Sequence, residues 1–311
     1  MAKYHDEYSW ERGVSRRDVL RGIGAAAVTV GAARIGLANA ASTSTRPVRF
    51  ALLGDWGNGE ESQFAIGARM AKEHAARTID MVVSTGDNIY PNGSPEHFGE
   101  KFERPFAPLL KEGLPFYTVF GNHDVRRGAS AQMQYPLFNM RGRSYYTVQA
   151  GNGTIELFML DSNDFDSRQA EWLDRMLGAS TAMWKIPVFH HPIYSAGRHG
   201  SDGGLRRKLE PILVRHRVAI AFSGHDHIYQ RVVPQNGVQY FISGAGGKIR
   251  KGDIDGRDRL VAKGYDDGTH FMVLEADAST LRYAAVTASG ERVDEGVIDV
   301  TVPVAKVAGA A

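Results

Sequence analysis

Val48-Arg49-Phe50-Ala51-Leu52-Leu53, followed by Gly54-Asp55-Trp56-Gly57-Asn58-Gly59, is the stretch that decides the architecture. A mainly apolar run that stops at a glycine-rich polar loop reads as a buried strand feeding that loop. The unit recurs downstream. Glu60 to Arg77 reads as a helix with Phe64, Met70 and Ala71 on its apolar side. Ile79 to Ser84 is a second buried strand, ending in Thr85-Gly86-Asp87-Asn88-Ile89-Tyr90. His97 to Leu110 is helical but interrupted by Pro105 and Pro108, and Phe116 to Phe120 is a strand running into Gly121-Asn122-His123-Asp124.

Ser144 to Gln149 and Thr154 to Leu160 read as an antiparallel pair around Gly151-Asn152-Gly153. Ser167 to Leu177 reads as a helix, with Ser167 as N-cap and Trp172, Leu173 and Met176 as apolar contacts. Lys185 to Phe189 is a strand running into His190-His191-Pro192. Leu205 to Val214 is a helix, and Val218 to Phe222 a strand running into Ser223-Gly224-His225-Asp226-His227. The remainder alternates as antiparallel strands over Gln239 to Ile242, Thr269 to Leu274, Leu281 to Thr287 and Val297 to Val302. Buried runs separated by helices predict an α/β fold: one domain over 47–303, a sandwich of two mixed β-sheets flanked by helices.

The 311 residues are 43% hydrophobic and 23% charged and include no cysteine. That excludes a disordered tail, a disulfide miniprotein and any cysteine-based nucleophile or zinc finger. Residues 1–40 carry a polar start, Arg16-Arg17, a mildly apolar middle and Ala38-Asn39-Ala40, the pattern of a cleaved export signal. The arginine pair resembles a bacterial twin-arginine signal and implies export machinery as a partner of the precursor. The expected location is periplasmic or secreted, with 41–46 a linker, 304–311 a C-terminal tail and no permanent membrane anchor. The segment 1–40 holds six basic and four acidic residues, which accounts for the whole formal charge of +2. The rest is near neutral, so no nucleic-acid binding is expected.

Five apolar runs end in chemistry-bearing loops: Asp55; Asp87 with Tyr90; Asn122-His123-Asp124; His190-His191; and His225-Asp226-His227. Ligands of open α/β folds bind beyond the carboxyl ends of strands, so these loops can meet. If His225 to His227 is extended, its two imidazoles share a side and Asp226 faces away. Carboxylates, an amide, a phenol and imidazoles suit a mixed N/O metal site. Asp55, Asp87, Tyr90, Asn122, His190, His225 and His227 are more donors than one ion needs. Two ions about 3.5 Å apart require a shared ligand, for which Asp87 is placed midway.

The set GDWG, GDNIY, GNHD, a strand-terminal histidine before HPIYS, and GHDH resembles the calcineurin-like metallophosphoesterase superfamily. The tyrosine in GDNIY, the SAGRHG segment and Ser243 to Gly247 (SGAGG) are similar to the small, mammalian-type purple acid phosphatases, over roughly 48–275. The resemblance implies Fe(III) held by Asp55, Asp87, Tyr90 and His227. It implies a second ion (iron, zinc or manganese) held by Asp87, Asn122, His190 and His225. It also implies catalytic roles for His123 and His199, either or both of which would protonate the leaving group. His191 has two readings, a metal ligand or a residue lining the cleft. Arg126, Arg127, Arg198 and Lys248 could hold phosphate or form a solvated rim. The expected activity is hydrolysis of small phosphate monoesters by a metal-activated hydroxide in a monomeric enzyme. Phosphodiesters, nucleotides or pyrophosphate are the alternative substrates on the same core, and metal or phosphate binding without turnover is the non-enzymatic alternative.

Overall fold

The computed structural model describes residues 46–299. The expected signal at 1–40, nearly all of the linker and the tail at 304–311 lie outside them. The chain runs β1 (Val48–Leu53), α1 (Glu61–Ala76), β2 (Met81–Ser84), α2 (Ala107–Lys111), β3 (Phe116–Tyr117) and α3 (Ala129–Gln134). It continues through β4 (Tyr146–Ala150), β5 (Ile155–Met159), α4 (Ser167–Ala179), β6 (Trp184–Val188), α5 (Gly203–Arg215) and β7 (Ile220–Ser223). It ends with β8 (Tyr229–Val232), β9 (Gln239–Ser243), β10 (Val261–Tyr265), β11 (His270–Ala276), β12 (Thr280–Thr287) and β13 (Arg292–Asp299).

Two sheets form, ordered β13-β12-β11-β1-β2-β3 and β10-β8-β9-β7-β6-β5-β4. Each joins a parallel part to antiparallel strands. β1, β2 and β3 are parallel, and β11 closes antiparallel onto β1 with Phe50 opposite Leu274. β5, β6, β7 and β9 are likewise parallel. Parallel neighbours need crossovers, and helices supply them. Every residue of β1 and β5 is buried, as expected for strands covered on both faces. One apolar cluster joins Phe50 and Leu52 to Leu157, Ile186, Phe222 and Phe241 between the sheets. A second packs Phe158, Ala221 and Tyr240 against Leu173, Leu177, Leu209 and Leu213 of the helices.

Several local expectations are corrected. α1 buries Gln63, Ile66, Gly67 and Met70, whereas Phe64 is 40% exposed. Gln63 takes the inward position because its amide is satisfied there, accepting from Gly59 N at 2.8 Å and donating to Lys101 O at 2.6 Å. The N-cap of α4 is Asp166, whose carboxylate accepts from Gln169 N at 2.9 Å, and Ser167 is the first helical residue. Trp172 lies against Tyr145 at 4.9 Å between ring centroids and is only partly buried. The interrupted stretch after His97 holds a π-helical turn at Gly99–Glu103 and then α2. β8 and β10 were not expected, and the last strand begins earlier than Val297, at Arg292. Residues 300–302 of that expected strand lie outside the described residues. No helix among the described residues is long and apolar enough to cross a membrane.

Candidate metal centre

The five polar loops leave the ends of β1, β2, β3, β6 and β7, so both sheets contribute. Asp55 and Asp87 follow β1 and β2 by a sharp reversal, with φ of 57° and 54°. His225 has φ of 72°. Among non-glycine residues, left-handed backbone is tolerated best by Asn, Asp and His, yet each instance costs of order 1 kcal/mol or more and marks an over-determined site. The His225–His227 segment is therefore a bend, not the extended run expected. Its two imidazoles still reach the pocket, and Asp226 still points away from it.

Neighbouring backbones come close enough to exclude side chains. A Cβ on Gly121 would lie 2.1 Å from Asp87 Oδ1, and one on Gly224 2.6 Å from Asp55 Oδ2. The glycines of GNHD and GHDH thus let the backbone meet the carboxylates.

The expected residues are brought together. Tyr90 Oη donates to Asp55 Oδ1 at 3.1 Å and lies 3.2 Å from His227 Nε2, which is 3.5 Å from Asp55 Oδ1. Asp55 Oδ2 accepts from His225 N at 2.9 Å. On the other side, His190 Nε2 is 3.6 Å from Asp87 Oδ1, 3.1 Å from Asn122 Oδ1 and 3.2 Å from His225 Nδ1. Donor atoms of Asp55, Asp87 and His190 all lie within 4.8 Å of one another, and so do ring nitrogens of His190, His191 and His225.

His190 gives the clearest test of fit. Its Nδ1 lies 2.9 Å from Thr85 O, a carbonyl that can only accept, so the ring proton is on Nδ1. Its Nε2 lone pair then faces the oxygen of Asn122, acceptor against acceptor, beside the Asp87 carboxylate. A cation between them relieves that repulsion, and the donor set fits one. Burial alone works against every charge here. It raises Asp55 well above the ordinary carboxylate range, with the charge of Asp87 adding to the effect. It raises Tyr90 well above a normal phenol and holds His190 well below a normal imidazole. It brings His225 down to about 2 and His227 to about 4. Multivalent cations reverse this balance by favouring carboxylate, phenolate and bare imidazole together.

His123 and His199 flank the donors. The backbone N of His123 donates to Asp87 Oδ1 at 2.9 Å, its Nδ1 binds Pro91 O at 2.7 Å, and its ring packs edgewise on Tyr90 at 4.6 Å. The His199 ring is 4.3 Å from that of His225, and its Nε2 accepts from Arg250 Nη1 at 2.9 Å.

Sequence reasoning gave no role to several residues that hold this geometry. Asp124 is fully buried and accepts from Gly121 N, Asn88 N, Ile89 N, Asn88 Nδ2 and Gln132 Nε2 at 2.8–3.2 Å. It ties the loop after β2 to that after β3. Burial pushes it up to about 7, with the charge of nearby Asp87 adding, while its hydrogen-bond partners, all donors, work the other way and favour the carboxylate. Asp226 plays the same part elsewhere, accepting from Ser195 Oγ at 2.5 Å and His199 N at 2.9 Å. Both lie inside quoted motifs, which was the available signal. Lys248 is placed by SGAGG: Gly246 N binds Gly54 O, Lys248 N binds Asp55 O, and its ammonium lies 3.7 Å from the Tyr90 ring centroid. Arg126 and Arg198 remain exposed.

Comparison with known proteins matches residues 48–229 to the model of the calcineurin-like phosphoesterases. The chain belongs to the calcineurin-like phosphoesterase family. Purple acid phosphatase 17 of Arabidopsis thaliana is 33% identical over 262 residues, covering 72% of this phosphoesterase and 76% of the plant protein. Tartrate-resistant acid phosphatase type 5 of Homo sapiens is 31% identical over 247 residues, covering 68% and 76% respectively. Among solved structures, the purple acid phosphatase PPD1 of yellow lupin seeds superposes with a TM-score of 0.71 at 20% identity, covering 82% of this chain and 54% of that one. That likeness concerns the fold. Family and fold together make this phosphoesterase a metal-dependent phosphatase.

Proposed function

We propose that this phosphoesterase hydrolyses small phosphate monoesters as an acid phosphatase with a ferric and a divalent ion, the latter iron, zinc or manganese. The supporting observation is the convergence of Asp55, Asp87 and His190 donors within 4.8 Å, where Asp87 can serve two ions at once. Asp55, Asp87, Tyr90 and His227 would hold the ferric ion, since a phenolate favours a hard trivalent cation. Asp87, Asn122, His190 and His225 would hold the divalent one. Bound together, the ions would lower the pKa of water to supply hydroxide and draw charge from the phosphate.

The chain's own groups do the rest. His123, with Nδ1 on Pro91 O, is oriented to present its other nitrogen beside Asp87. His199 stands on the opposite side, beside His225. Between them they can stabilise the departing alkoxide and deliver its proton. Lys248 and Arg250 add positive charge at the rim, which favours an anionic substrate.

Metal analysis with a visible spectrum tests the assignment. One iron per chain and a broad visible band, lost in Tyr90→Phe, are expected; zinc alone without colour would contradict the ferric reading. Faster turnover of 4-nitrophenyl phosphate than of bis(4-nitrophenyl) phosphate is expected for a monoesterase, and the reverse order would move the assignment to diesters. Export to the periplasm or medium is part of the proposal, supported by Arg16-Arg17 and Ala38-Asn39-Ala40. Retention of an Arg16→Lys, Arg17→Lys precursor in the cytoplasm checks it.

A further inference from the structure

Ser162 Oγ has three polar neighbours: the backbone N of His190 at 3.2 Å, the backbone N of His191 at 3.0 Å and Nδ1 of His191 at 2.9 Å. A hydroxyl offers one O–H and two acceptor lone pairs. The two backbone N–H groups fill both lone pairs. The hydroxyl hydrogen therefore points to the third neighbour, and His191 Nδ1 accepts it. A proton on Nδ1 would confront the oxygen with three donors and leave its own hydrogen without a partner. The ring proton of His191 is thus on Nε2.

The placement of that ring makes the tautomer matter. His191 packs 4.7 Å from His225 and 5.0 Å from His190 between centroids. It is partly exposed to the cleft, and its Nε2 has no protein partner among the described residues. The contrast with His190 is direct. His190 places its proton on a carbonyl and offers a bare nitrogen to the donor cluster. His191 has its bare nitrogen taken by Ser162 and offers an N–H instead. Neither nitrogen of His191 is free to ligate.

We propose that His191 is a phosphate-binding residue of this site, donating Nε2–H to a non-bridging oxygen of the substrate, and that Ser162 positions it by fixing the tautomer. The proposal rests on the phosphatase reading above. No proton changes hands in this role. The hydrogen bond strengthens as negative charge develops on the phosphoryl oxygen, which is where a preorganised donor accelerates reaction.

The test uses the full chain loaded with zinc and labelled with 15N. Long-range 1H–15N correlation should show His191 protonated at Nε2, and Ser162→Ala should give mixed tautomers. In parallel, His191→Phe should lower kcat/KM for 4-nitrophenyl phosphate about a hundredfold, as loss of one transition-state donor does. It should also weaken inhibition by inorganic phosphate while leaving two metal ions per chain. His191→Gln, which carries an N–H near the Nε2 position, should recover part of both and guards against a folding defect in the phenylalanine variant. A proton on Nδ1, loss of an ion in His191→Phe, or unchanged kinetics in both variants would each overturn the proposal while wild-type turnover preserves the phosphatase reading. Absence of wild-type turnover in protein loaded with iron and a divalent ion would overturn both.

Discussion

Gly121 shows how little room the donors leave. Its missing side chain is the space occupied by Asp87 Oδ1. A Cβ there would also lie 2.3 Å from Asp87 N, so Gly121→Ala is expected to push the Asp87 loop and its carboxylate back by about an ångström, and misplacement on that scale costs on the order of a hundredfold in turnover. Activity should fall with metal content while circular dichroism stays unchanged; full activity with two bound ions would contradict the close-approach argument. Each expected donor was legible as a residue type at the end of an apolar run. The residues fixing those donors were not. Asp124 and Asp226 work through buried hydrogen bonds to loops remote in sequence, and no local pattern announces such partners. His225 reaches the cluster by a different backbone from the one expected, because its loop bends where alternation assumed an extended chain.

Elements were read best where both faces are covered. β1 and β5 are buried throughout and apolar apart from Arg49 and Glu156, because helices lie on one side and the other sheet on the second. β8, with Gln230 and Arg231, and β10, with Lys263 and Gly264, present no such run and escaped notice. Their pairing along the sheet, not their composition, makes them strands. Capping failed by one residue for a similar reason: Asp166 and Ser167 are both acceptable N-caps, and only the bond to Gln169 N decides. Asp166→Ala should cost about 1 kcal/mol in urea denaturation. Ser167→Ala should cost much less, and equal losses would return the cap to the serine.

At the scale of the molecule, His270 stands where the two sheets meet. It begins β11, is fully buried, and its Nε2 lies 3.2 Å from Ser243 Oγ at the end of β9. Burial lowers its pKa to about 3 from an ordinary value of 6.5. The folded state therefore binds fewer protons than the unfolded state between those values, and stability falls as pH is lowered through that window. It is fully present above pH 6.5. Urea midpoints should drop between pH 7 and pH 4, and His270→Phe, which cannot charge, should show a shallower drop. An equal slope in the variant would remove His270 from the account.

The candidate metal donors are drawn from positions 55 to 227 and from loops beyond both sheets. In a denatured chain those groups are strangers, so affinity for the ions belongs almost wholly to the native state. By mass action, each bound ion then raises the melting temperature, and chelation lowers it. Re-adding metal should restore the lost degrees in proportion to the logarithm of its free concentration. The pocket proposed for catalysis would in this sense also be a rivet between two sheets, and the supply of ions in the surroundings would set how firmly it is driven.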